Sequence, residues 1–128
     1  MCDRTIGDDE ILLRRIPPGS RWFEPPDRIT SANFKLRPND LGLSVYRRKI
    51  VSPEEVLQKP EAIAGSFVVQ ATAGDIRKLT DGNGKPLNLD VVAVADENDP
   101  GHAEIRGPAP GRCSQSTSNA LRRLFKPV

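Results

Sequence analysis

The chain is short of several residue types, and each shortage excludes something. Two cysteines, Cys2 and Cys113, are too few for a disulfide framework. With a single histidine, His102, they also make a structural zinc site an unfavoured reading. Aromatic residues number four Phe, one Tyr and one Trp, so the core must come mainly from Leu, Ile, Val and Ala. The longest apolar run, Val91 to Ala95, falls far short of the roughly 20 residues that a membrane-spanning helix needs. Residues 1–10 are polar and acidic and contain no apolar signal region. A reduced, cytoplasmic setting without a membrane is the expectation, and neither a metal nor a cofactor is called for.

Complete catalytic signatures are missing too. Gly42-Leu43-Ser44-Val45-Tyr46 lacks the second glycine of a nucleophile elbow. Asp81-Gly82-Asn83-Gly84-Lys85 has neither the spacing of a P-loop nor a serine or threonine after its lysine. The same turn does not continue as a calcium loop, because Val92 stands where the closing glutamate would be.

What the chain does have is proline, 12 in 128 residues, which cuts it into short elements. Lys and Arg total 19 against 17 Asp and Glu, a net charge of +2 that demands no polyanionic partner. The charges are unevenly spread. Residues 81–104 hold Asp81, Asp90, Asp96, Glu97, Asp99 and Glu104 with Lys85 as the lone base. Residues 105–128 hold Arg106, Arg112, Arg122, Arg123 and Lys126 with no acid. The acidic turn and the basic tail therefore face one another or face different partners.

Local patterns predict an α+β fold. A loose lead occupies 1–10, and a single globular domain fills 11–128. Ile11 to Ile16 reads as a strand inside a sheet, with Ile11, Leu13 and Arg15 on one face and Leu12, Arg14 and Ile16 on the other. Trp22 and Phe23 clamp a proline-rich loop. Gly42 to Tyr46 is a strand with Leu43 and Val45 inward. Ser52-Pro53-Glu54-Glu55 is a capping box with proline at the first helical position, and its helix must stop before Pro60. Ser66 to Ala71 is a strand, and Thr72 to Asp75 opens a second short helix carrying Ile76 and Leu79 inward. Leu89 to Ala95 is apolar on both sides, which predicts a strand in the middle of a covered sheet. After a polar turn, Ala103 and Ile105 face the core while His102, Glu104 and Arg106 share the opposite face. Ser114 to Phe125 is a helix with Leu121, Leu124 and Phe125 on one side and Arg122, Arg123 and Lys126 near its end. The sum is a mixed or antiparallel sheet of about five strands, covered by two short helices and a C-terminal helix.

Four blocks of the sequence, Leu12-Leu13-Arg14-Arg15-Ile16-Pro17-Pro18, then Ser31-Ala32-Asn33-Phe34-Lys35 with Gly42-Leu43-Ser44-Val45, then Asn98 to Ile105, and the basic tail helix, resemble a group of short bacterial proteins with the same block order. That group has no settled activity. The resemblance spans about two-thirds of the chain and implies a bacterial, intracellular setting without a mechanism.

Several side chains are candidates for chemistry or binding. His102 and Glu104, two apart on a strand, suit general acid–base work; the plainer alternative is an exposed face of ion pairs that includes Arg106. Arg14 and Arg15, just before the double proline, suit an anion and with Lys35 and His102 would form a pocket; the plainer alternative is rim ion pairs. A basic strand end, a serine-containing block and a late glutamate are also loosely similar to the ADP-ribosyltransferase pattern. The usual serine-threonine-serine block is absent, and the chain is short for that fold. Arg47, Arg48 and Lys49 with Arg122 and Arg123 suit a nucleic-acid backbone, against a solvated face as the plainer reading. The apolar stripe of the tail helix covers its own sheet rather than a partner's groove. The favoured function is an intracellular accessory protein that binds another macromolecule, a protein before a nucleic acid. A small enzyme or toxin acting on a nucleotide or nucleic acid is the competing reading.

Overall fold

The computed structural model describes residues 6–18, 23–24, 28–29, 42–60, 62, 64–81, 83–94, 99–107 and 115–128. Its main sheet is built from β1 (Ile11–Ile16), β4 (Leu43–Arg47), β5 (Phe67–Thr72), β6 (Asp90–Ala93), β7 (His102–Arg106) and β8 (Lys126–Pro127). The order is β6-β7-β4-β1-β5-β8, and every neighbouring pair is antiparallel. A two-stranded ribbon, β2 (Phe23–Glu24) with β3 (Arg28–Ile29), stands apart from it. Three helices, α1 (Pro53–Leu57), α2 (Ala73–Arg77) and α3 (Gln115–Leu124), complete the α+β architecture. None of the described helices is long and apolar enough to cross a membrane.

β1 lies inside the sheet because both of its faces are apolar. Leu12 and Ile16 enter the main core with Leu43, Val45, Val69, Val91, Ala103 and Ile105. Ala73 and Ile76 of α2, together with Leu121 and Phe125 at the end of α3, cover that side. The apolar stripe of the tail thus packs on its own sheet. Leu13 turns to the other face and joins Tyr46, Val68 and Val56 of α1 in a smaller cluster. α1 is short but well started: Ser52 Oγ accepts from Glu55 N at 3.2 Å, and Glu55 Oε1 accepts from Ser52 N at 3.1 Å. α2 starts on Thr72, whose hydroxyl accepts from Asp75 N.

Three features depart from the sequence pattern. First, β6 is an edge strand, not a central one. Among the described residues no further strand covers its outward backbone, which is blunted locally. Val94 N donates to His102 O, so residues 90, 92 and 94 bond to β7 and Val91 points away from it. The outward Val91 N–H goes to Asp90 Oδ1 at 2.8 Å, and Arg77 Nη2 approaches Val91 O at 3.4 Å. Arg77 also bonds Asp90 at 2.9 Å and Asp8 at 2.8 Å. Those two carboxylates raise the Arg77 pKa. Burial alone would push the Asp90 carboxyl up, but bonds from Arg77 and Val91 N–H outweigh it and hold the pKa below its usual value.

Second, residues 6–10 pack instead of trailing as a lead. Ile6 is buried in the main core, and Glu10 is buried against Arg47. Gly74 N donates to Asp8 O at 2.8 Å, and Ala73 N to Glu10 O at 3.0 Å. The approach requires a glycine, because a Cβ at position 74 would lie 2.9 Å from Asp8 O. Third, the residues after the last helix form a strand that the sequence pattern does not announce, and Lys126 starts it. This strand, β8, pairs with β5 through Val69↔Pro127 and Gln70↔Lys126.

Candidate functional site

The face of the sheet opposite the main core collects polar side chains beside its small apolar cluster. Tyr46 lies opposite His102 and Ser44 opposite Glu104, and Asp90 lies opposite Arg106 one strand further out. Strand alternation sends all six to this face. α1 sits on the same face through Val56, over Leu13, Tyr46 and Val68.

His102 is placed by the turn before it. His102 N donates to Asp99 O at 3.2 Å, and Arg47 N donates to Gly101 O at 2.9 Å. Gly101 is required there, because a Cβ would come within 2.1 Å of Val51 Cγ2. Lys59 Nζ holds Asp99 Oδ1 at 2.9 Å and stands 4.9 Å from the centre of the Tyr46 ring. The Tyr46 and His102 rings lie 5.8 Å apart, tilted by 43°. With its start fixed, the imidazole reaches diagonally across the strand pair, and Nε2 lies 3.1 Å from Ser44 Oγ.

Spacing alone pairs His102 with Glu104. The structure puts both on one face but gives them different partners. Glu104 Oε1 accepts from Arg106 Nε at 3.1 Å and from Nη2 at 2.8 Å. A serine hydroxyl beside an imidazole is the first contact of a nucleophilic mechanism. The next contact in such a mechanism, a carboxylate that orients the base, is not made among the described residues, where Glu104 turns to Arg106. Among the described residues no group of three His, Cys, Asp or Glu is placed to hold a metal ion.

The remaining candidates disperse. Arg14 and Arg15 alternate and point to opposite faces, so they do not form a joint anion pocket with His102. β1 and β4 pair at Leu12↔Arg47 and Leu13↔Tyr46, and beyond that ladder Arg14 Nη1 donates to Ser44 O at 2.6 Å. Arg15 Nη1 donates to Val56 O, near the C-terminal end of α1, at 3.2 Å. Lys35 lies outside the described residues. Arg47 is not a surface cation: it is 1% exposed, and both Nε and Nη2 engage the Glu10 carboxylate, the latter at 3.0 Å. Lys49 reaches the same carboxylate at 3.6 Å. Arg48 is exposed and donates from Nη1 to Gln70 Oε1 at 3.1 Å. Arg122 and Arg123 sit in the last turn of α3, the helix whose apolar residues cover the main core. The two basic runs therefore lie on different elements.

Ser44, Tyr46, Lys59, Asp99 and Gln70 carry no motif that marks them in the sequence. Alternation from Leu43 and Val45 turns Ser44 outward, but its meeting with His102 depends on pairing strands 58 residues apart. No protein-family model, curated protein or solved structure matches the chain.

Proposed function

We propose that the chain is a small bacterial accessory protein of the cytoplasm that acts by binding another protein through the sheet face around Ser44, His102, Glu104 and Arg106. One observation carries this reading. The polar groups of that face neutralise one another, Glu104 with Arg106 and Asp99 with Lys59, instead of converging on a reacting position. Such a face offers directional contacts with little net charge, as recognition surfaces do. The block order shared with short bacterial proteins supports the cellular setting.

Reversal of the Glu104–Arg106 pair tests it. The double variant Glu104→Arg, Arg106→Glu keeps an internal ion pair but inverts the pattern presented outward. It should lose the partner retained by the wild-type protein while unfolding at nearly the same temperature. Unchanged retention would contradict the proposal.

The Ser44–His102 contact favours a second reading, an enzyme that acts on a nucleotide or nucleic acid with Ser44 as nucleophile. That reading requires turnover abolished by both Ser44→Ala and His102→Ala. Its failure in both variants leaves binding as the function.

A further inference from the structure

The same sheet face has a second flank, at β5 and β8. Gln70 lies directly opposite Lys126, so their side chains project together from the sheet. Gln70 Oε1 is taken by Arg48 Nη1 at 3.1 Å. With its oxygen so engaged, the carboxamide keeps its NH₂ group as a donor. Three donor-bearing side chains thus share this flank: Arg48, the Gln70 to which it is bonded, and Lys126, directly opposite Gln70 on the neighbouring strand. Arg48 and Lys126 are both exposed, and neither forms an ion pair with a described carboxylate. The contrast with the other flank is chemical: there each cation has its acid, here two cations bracket a neutral amide.

We propose that Arg48, Gln70 and Lys126 form a cradle for a phosphate monoester dianion. Two positive charges match the −1.5 to −2 of a phosphate monoester near neutral pH better than the single charge of a carboxylate. A guanidinium, an amide and an ammonium supply the several donors that three phosphate oxygens accept. If this face binds a protein, as proposed above, the phosphate comes from a phosphorylated side chain of that partner. The cradle itself does not depend on that reading.

The experiment follows the Gln70 side-chain amide and the Arg48 Nε–H by NMR in the full-length protein, with ionic strength held constant by chloride. Inorganic phosphate is titrated first, then a phosphoserine peptide, its unphosphorylated form, and a nucleoside monophosphate. Saturating shifts are expected at both groups. Arg48→Gln and Lys126→Gln should each weaken binding about tenfold, as loss of a charge-assisted bond does. The phosphopeptide should bind, its unphosphorylated form should not, and the nucleotide should bind no more tightly than phosphate alone. Shifts that fail to saturate, that appear equally at Lys78, Lys85 and Arg123, or that survive both substitutions overturn the cradle. A nucleotide that binds much more tightly than phosphate overturns the protein source of the group. The charge reversal at Glu104 and Arg106 reports on the other flank, so failure of the cradle and failure of the partner-binding reading are distinguishable.

Discussion

Two ionic contacts decide much at the level of single residues, and they differ in depth. Arg47 and Glu10 are both buried, so removing one partner strands a charge out of water. Glu10→Ala should lower the unfolding free energy by about 3–5 kcal/mol, read by urea denaturation. Adding Arg47→Leu should recover part of that loss, because the buried guanidinium goes too. The Asp90–Arg77 pair is shallower, with the Asp90 side chain 62% exposed. Its folded carboxyl has a lowered pKa, so its contribution is present above the unfolded value near 4 and is lost as pH falls through the folded value. Solvent screening keeps it to about 1 kcal/mol or less. Asp90→Asn should therefore cost a little stability at pH 7 and progressively less as pH falls below the unfolded value near 4, as followed by thermal unfolding.

At the scale of elements, local signals were legible and partners were not. The capping box at Ser52 and the strand alternations at Leu43–Val45 and Ala103–Ile105 are contained in a few adjacent residues, so sequence is enough to see them. Position in the sheet is not local. Val91 to Val94 reads as central because both sides are apolar, yet β6 ends the sheet. What it needed was not a second neighbour but Arg77 and its own Asp90 to occupy the outward Val91 groups, a device found at managed edges. Likewise Arg47 reads as one of three surface cations, and only the return of residues 6–10 over α2 shows why it is buried. α1 offers a check on this scale. Ser52→Ala removes the half of the capping box in which the hydroxyl accepts from Glu55 N, leaves the backbone N–H that donates to Glu55 Oε1, and should cost about 1 kcal/mol. The loss should be accompanied by loosening of Arg15 and Lys59, seen as faster exchange at amides of residues 54–58.

Over the whole molecule the sheet is used asymmetrically. One face is closed by α2 and α3 over a continuous apolar core. The other is held at its centre by α1 and bears polar side chains on either flank. The candidate site was half visible in sequence: His102, Glu104 and Arg106 share a face as alternation requires, but their true partners depend on cross-strand pairing and on the turn at Gly101. Among the described residues no carboxylate orients the His102 base beside Ser44, which supports the proposed recognition role of the face. A photo-crosslinking residue at Ser44 tests this assignment most directly, with one at Lys85, on the exposed turn before β6, as the control. The account predicts one discrete protein adduct from position 44, none from position 85, and its disappearance on reversal of Glu104 and Arg106. Equal adducts from both positions, or an adduct from 44 that is indifferent to the reversal, would contradict it.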